Sequence, residues 1–432
     1  MRRRGLAALA WASTLDLFDQ TTAFGRLALV HVVMSAGDTL VTISLAGSLF
    51  FSVSPHEAKG RVLLYLLLTI APFAVVSPVL GPLIDRSANG RRILVAVSAG
   101  SRTFLCWAMA SRLSSLWLFP LAFLVLVSSK LYAVTRGTLV PEMARTDQFR
   151  QHAARLNEAG WPDGPQKSES GFAGFNAQLT LLGTVAGLLA GSVGAGILKG
   201  LGAPWVLHLA TVVFLVATVA SLRLQKPNRR ATAHRPLTQE EKDQYQLTPL
   251  GDREVVWGLS AAALMRCAVG FATFMLAFGL RRAHAGLGLF ALSLSASGAG
   301  SLLGLAFVSR VRERWRDTTL LSWALIVTGA GAWTASYRPT LVAQVGLAAW
   351  LGLGAAVAQP SFDSLTQRLV APGAQGRTFA RFAVRQQLLW VLGAVIPVAV
   401  PLSFAAGDRG LGIALIIGGL TYGLGRRLAS NR

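Results

Sequence analysis

Five ionisable side chains stand where water is scarce. Asp38, Arg102, Lys130 and Arg266 lie inside long apolar runs, and Asp363 lies just beyond the edge of another. A charge at the centre of a bilayer costs roughly 2.5 to 3.5 kcal/mol on insertion scales, so each such group needs a partner, an aqueous path or a function. Asp38 is the only carboxylate read as deep in a run. An acid whose proton affinity rises on desolvation and falls beside a cation is suited to carrying a proton. The competing reading of Asp38 is a structural ion pair with Arg266 or Arg102. Arg266 is a candidate for binding an anionic group or for holding Asp38, whereas Arg102 reads as structural. Trp350, Gln344, Gln359, Gln386 and Gln387 are further candidates for polar or aromatic contacts. His31 and His208, each alone in an apolar run, read as hydrogen-bonded packing residues. No HExxH, paired-cysteine or acidic cluster suggests a metal, and no G-x-x-x-x-G-K-[ST] loop suggests ATP hydrolysis. No cofactor is expected.

The elements that must position these groups follow from composition. The chain has 432 residues, 53% hydrophobic and 14% charged, against about 25% charged in an ordinary soluble domain. Apolar stretches long enough to cross about 30 Å of hydrocarbon recur throughout. A window of about 19 residues places spans at 27–51, 62–80, 93–111, 116–135, 172–198, 202–223, 256–280, 286–309, 318–336, 340–362, 380–403 and 409–425. These are twelve membrane helices, six on each side of residue 240, in an all-α polytopic protein. Cys106 and Cys267 both sit in apolar runs and form no disulfide framework. The start, MRRRGLAALAWAS, has too short an apolar stretch for a cleaved signal and reads as an amphipathic lead-in on the inner leaflet.

The net charge of +22 would suggest nucleic acid in a soluble chain. Here the basic residues concentrate on alternate loops, including Arg2 to Arg4, Arg86, Arg91, Arg92, Arg229, Arg230, Arg310, Arg312, Arg314, Arg316, Arg426 and Arg427. Such loops stay in the cytoplasm, so both termini are expected inside and no nucleic-acid partner is expected. The expected organisation is a cytoplasmic segment over 1–26, a six-helix bundle over 27–224 with an inside loop at 141–171, a central linker over 225–255, a second bundle over 256–425 and a tail over 426–432. The loop 141–171 has room for one short amphipathic helix before its WPDGP turn. The halves share weak similarity: Thr135 and Pro141 match Thr366 and Pro372 at one offset. That offset maps Lys130 close to Asp363, which suggests an inner gate formed by these two across the halves. Snorkelling of both to the interface is the alternative.

Between the second and third spans stands Gly81-Pro82-Leu83-Ile84-Asp85-Arg86-Ser87-Ala88-Asn89-Gly90-Arg91-Arg92. This resembles the signature loop of the major facilitator superfamily, G-x-L-x-D-R-x-G-R-R, with two extra residues. The resemblance implies a conformational latch built from Gly81, Asp85, Arg86, Gly90, Arg91 and Arg92. It also implies that the first, fourth, seventh and tenth helices line a central cavity, and these are the helices that carry Asp38, Lys130, Arg266 and Asp363. In the fifth span Gly183, Gly187 and Gly191 recur at spacing four, as in close helix packing. The stretch Gly187 to Gly196 is also similar to the superfamily's antiporter motif, without its proline. Ser35-Ala36-Gly37-Asp38 and the run through LIDR are similar to bacterial efflux proteins of this superfamily.

The expected function is a bacterial secondary transporter working by alternating access, with proton-coupled export of a small amphiphilic or anionic compound preferred. It is expected in the cytoplasmic membrane, among membrane lipids, as a monomer, with a small-molecule substrate and H+ as partners. Candidate cavity residues are Arg266, Lys130 and Gln359. The rivals are an importer or uniporter of the same fold without proton coupling, and a membrane-embedded protein handling lipids.

Overall fold

The computed structural model describes residues 21–49, 88–113, 115–159, 172–224, 253–282, 287–311, 314–370, 374–400 and 402–430. Among them the regular structure is helical: α1 (Ala23–Leu49), α2 (Ala88–Ala110), α3 (Leu118–Ala159), α4 (Ala173–Leu201), α5 (Ala203–Leu222), α6 (Arg253–Arg282), α7 (Leu287–Val311), α8 (Asp317–Ala335), α9 (Leu341–Leu369), α10 (Gln375–Ala399) and α11 (Phe404–Ser430). These eleven helices coincide with eleven of the twelve expected spans. The span at 62–80, the lead-in, the central linker, Gly81, Asp85 and Arg86 lie outside the described residues. Nine of the described helices are long and apolar enough to cross a membrane. They are apolar on their outer faces as well as inside: Phe104 is 63% exposed, Leu189 66% and Leu392 57%. Side chains of that kind facing outward are what a hydrocarbon solvent selects.

The chain divides into two compact units. In the first, α1 packs on α5 and α3, and α2 packs on α5 and α3. Its core holds Leu27, Met34, Met109, Leu139 and Phe214, none appreciably exposed. In the second, which also takes the first turns of α4, the pairs α7 with α9, α6 with α10 and α8 with α11 lie side by side. The second core is continuous through Leu321, Leu325, Phe362, Phe382 and Leu415.

Several helices run past their expected limits: α2 begins at Ala88 rather than 93, α10 at Gln375 rather than 380, and α9 continues to Leu369, which puts Asp363 inside a helix rather than beyond its edge. Two further boundaries bear on the polar contacts. The fourth span does not end before an inside loop at 141: α3 runs unbroken to Ala159, with Pro141 inside it. A helical proline forfeits one backbone bond and crowds the preceding turn. The residues that follow, such as Met143, Ala144, Gln148 and Ala153, are ordinary helix formers. The extension has a use. Asp147 reaches α1 and accepts hydrogen bonds from the backbone amides of Ala23 (2.8 Å) and Phe24 (2.9 Å). Those amides belong to a first helical turn, which has no intrahelical acceptor for them. The second departure is at α11, which begins at Phe404 rather than 409, so Asp408 lies within the helix.

Small residues set the spacing of α4 on α1. A methyl group at Gly183 would lie 2.6 Å from His31 Nε2 and 2.8 Å from Ser35 Oγ, and one at Gly187 would lie 3.0 Å from Thr39 Oγ1. One at Gly196 would meet nothing within 4 Å. Gly183→Val should therefore lower thermal stability in detergent by about 1 to 3 kcal/mol through overpacking, while Gly196→Ala should leave the melting curve in place. Equal curves for wild type and Gly183→Val would contradict this packing.

Candidate functional site

In the first unit a polar cluster is built on Arg102, the largest of its fully buried side chains. Every guanidinium nitrogen is engaged. Nη1 donates to Asp38 Oδ1 at 2.5 Å, Nε to the Ser98 carbonyl at 3.1 Å, and Nη2 to Ser98 Oγ at 3.0 Å and Met34 Sδ at 3.2 Å. The cation also lies 4.8 Å from the centre of the Phe214 ring and 5.7 Å from that of Tyr132. Gly37, next to Asp38, makes the Phe214 contact possible, since a methyl group there would lie 2.6 Å from the ring. Ser129 Oγ donates to Asp38 Oδ2 at 3.1 Å. The Arg102 side chain is 0% exposed and that of Asp38 35%. Of the two readings for Asp38, the ion pair with Arg102 is thus present, and its exposed partner is the carboxylate.

One turn from this cluster, His31 is held at both ring nitrogens. Arg136 Nη1 lies 3.0 Å from Nε2, and the Tyr132 hydroxyl lies 3.2 Å from Nδ1. A guanidinium only donates, so Nε2 is the acceptor and Nδ1 bears the proton. His31 is a neutral, satisfied hydrogen-bonding residue, as read from the sequence. His208 is exposed and packs edge-on against Trp205.

Each unit also has an ion pair joining two helices, buried on both sides in the first unit and with an exposed arginine in the second. Arg91 Nη1 donates to Glu142 Oε2 at 3.1 Å, and Arg368 Nη2 lies 3.1 Å from Asp317 Oδ2, which also accepts from Ser364 Oγ at 2.8 Å. The partners are 51 residues apart in both cases, with the order of charge reversed. Of the expected latch, Arg91 is this buried donor and Gly90 opens the same helix, while Arg92 donates to the Leu222 carbonyl at the end of α5 at 3.0 Å.

In the second unit Arg266 is exposed on α6 and feels the charge of Asp363 on α9. Gln359 Nε2 donates to Asp363 Oδ1 at 2.9 Å. The opposition of Arg266 and Asp363 was not foreseen, because Arg266 had been weighed against Asp38. Lys130 is half-buried on α3 of the first unit. One further amide and the tryptophan named from the sequence have hydrogen-bond partners. Trp350 Nε1 donates to the Val327 carbonyl at 2.7 Å, and Gln344 Nε2 donates to Asp408 Oδ2 at 2.6 Å. The Gln386 Nε2 is buried without a partner. Asp408 corrects the reading of Asp38 as the one deep acid: it is 0% exposed, and its Oδ1 is buried with no donor. It escaped notice because a span drawn from 409 left it in a loop. Among the described residues no group of three or more histidine, cysteine or acidic side chains is placed to hold a metal.

The family model described as Major Facilitator Superfamily matches residues 27–394. The chain belongs to this superfamily. Its fold is similar to a bacterial homologue of the iron transporter ferroportin in the outward-facing state, with a TM-score of 0.67 and 16% identity over 94% of this chain and 99% of that one. It is also similar to the transporter FucP in the outward conformation (TM-score 0.60, 13% identity, 92% and 98%) and to the human organic anion transporter MFSD10 (0.61, 16%, 92% and 99%). Among curated sequences, an uncharacterized protein of Mycobacterium leprae is 26% identical over 94% of this chain and 72% of its own length. An uncharacterized protein of Mycobacterium tuberculosis is 39% identical over 31% of this chain and 25% of its own. Membership of this superfamily makes it a multi-pass membrane transporter with a small-molecule substrate.

Two stability outcomes follow from these geometries. Removing one member of the pair strands the other, so Asp38→Asn and Arg102→Gln should each destabilise by about 1 to 3 kcal/mol, the low end because Asp38 is partly exposed. The double variant should cost less than the two added together, read as a coupling in thermal unfolding; strict additivity would dissolve the pair as an energetic unit. Gln344→Leu should cost about 1 to 3 kcal/mol by leaving Asp408 with no donor, whereas Asp408→Asn in the same measurement should be milder than Asp408→Ala.

Proposed function

We propose that this facilitator is a proton-coupled secondary transporter of the bacterial cytoplasmic membrane, with Asp38 as its proton-binding group and export of an amphiphilic compound as its direction. The observation that carries the proposal is the asymmetry of the Asp38–Arg102 pair. The cation is fully buried and donates from every nitrogen, whereas the carboxylate side chain is 35% exposed. Only the exposed member can exchange a proton, and each exchange changes how well the buried cation is neutralised. Loading and unloading Asp38 therefore alters the energy of the junction between α1, α2 and α3, which is what a coupling group must do.

The same pair fixes the sign of coupling for each class of cargo. A cation approaching Asp38 competes with the proton, which is the exchange that drives export against inward proton flow. An anion does the reverse: it compensates Arg102 when Asp38 is protonated, so proton and anion bind together and travel in one direction. A second reading, proton-linked uptake of an anion, is supported by exposed Arg266 on α6 and by the organic anions named for the human structural relative. Lys130 and Asp363 are proposed as an inner gate, with Gln359 orienting the carboxylate, and Gly90, Arg91 and Arg92 as part of the latch. Monomeric operation with both termini inside completes the proposal.

The test is efflux and uptake of a panel of cationic, neutral and anionic amphiphiles in a transporter-depleted bacterial host, with and without a protonophore. Wild-type transport should collapse on dissipating the gradient. Asp38→Asn, at matched membrane expression, should lose at least tenfold in rate and lose its response to external pH. Transport that keeps its pH dependence in Asp38→Asn would take the proton role from Asp38, and transport indifferent to the protonophore would instead favour a uniporter.

A further inference from the structure

At one end of the first unit, α1 and α5 part to leave a groove of about 360 Å³ lined by Arg26, Leu29, Leu215, Val216, Val219, Ala220 and Arg223. Its walls are apolar and outward-facing: Leu215 is 53% exposed, Val216 52% and Val219 48%. Its mouth is cationic. Arg26 Nη1 donates to the Arg223 carbonyl at 3.2 Å, and Arg92 Nη2 donates to the adjoining Leu222 carbonyl. The three guanidinium-bearing residues thus converge on the last turn of α5. Arg92 Nε is buried there with no acceptor in reach, and the Arg223 side chain is exposed.

We propose that this groove is a binding site for an anionic glycerophospholipid. The headgroup phosphate sits between Arg26 and Arg223, and one acyl chain lies along Leu29, Leu215, Val216 and Val219. Charge complementarity selects the occupant. Two charge-only ligands or two apolar ones would each leave half of the site unmatched, while a phospholipid presents a diffuse anion and a hydrocarbon chain at the spacing the groove offers. Arginine suits the phosphate because its planar fork supplies several donors to one group of oxygens. The carbonyls at the end of α5 do not oppose this: each takes a donor from an arginine, which also holds the guanidinium groups in place for the phosphate. The site uses none of Asp38, Arg102, Arg266 or Asp363. Its occupancy would brace α1 against α5, the pair whose contact carries Phe214 to Arg102.

The experiment is native mass spectrometry and thermal unfolding of the full-length detergent-solubilised protein. It is titrated in parallel with dioleoyl phosphatidylglycerol, dioleoyl phosphatidylcholine and inorganic phosphate. Wild type should retain phosphatidylglycerol in preference to phosphatidylcholine and be stabilised by it, with no effect of phosphate at the same concentration. Each arginine near an anionic headgroup is worth roughly a factor of five, so Arg26→Gln with Arg223→Gln should weaken phosphatidylglycerol retention about 25-fold. Val219→Trp keeps all three arginines and fills the groove, so it should also abolish the preference. It serves as the second variant should the double one fold poorly. Equal retention of both lipids by wild type, or stabilisation by phosphate alone, would overturn the proposal. So would undiminished phosphatidylglycerol binding in Val219→Trp.

Discussion

A guanidinium cannot shed its charge inside a protein, and in the first unit that fact organises three helices and an aromatic ring. Arg102 has no exposed surface, so its charge is met entirely by neighbours: Asp38 and Met34 from α1, Ser98 one turn back on its own helix, and the face of Phe214 from α5. The carboxylate is in turn steadied by Ser129 from α3. In hydrocarbon there is no solvent to substitute for any of these partners. The geometry of α1, α2, α3 and α5 around the cation is therefore a requirement of desolvation, and the glycine at position 37 is the gap that lets the ring close over it.

The second unit solves the same problem with shared rather than solitary charges. Asp317 begins α8, where a helix favours a negative group, and Arg368 lies in the last turn of α9, where it favours a positive one. Their pair is thus supported by both helix ends. Arg91 and Glu142 make a comparable link in the first unit, with the signs exchanged. Asp408 stands apart. It is a buried acid held by one amide, Gln344, with its second oxygen unmet.

Most of the architecture was legible because hydropathy in a membrane chain is a direct image of the solvent. The twelve apolar runs and the loop ending in Gly90-Arg91-Arg92 pointed to the superfamily that the family model then matched over residues 27–394. What the sequence left ambiguous was pairing. Asp38 had two possible arginine partners separated by more than a hundred positions, and nothing in local spacing distinguishes Arg102 from Arg266. Serines such as Ser98 and Ser129 carry the geometry of the site yet look like any small residue in a span. The course of α3 was obscured by Pro141 and by the polar residues after it, whose long-range role in capping α1 through Asp147 has no local signature.

The length of α3 has a mechanical meaning. Ser129, Tyr132, Arg136, Glu142 and Asp147 all project from one uninterrupted cylinder, and at 1.5 Å per residue the first and last of these are about 27 Å apart. They touch Asp38, His31, Arg91 and the leading amides of α1. A rocking motion of this cylinder would strain every one of those joints together, and so the cheapest displacement carries α1, α2 and α3 along as one girder.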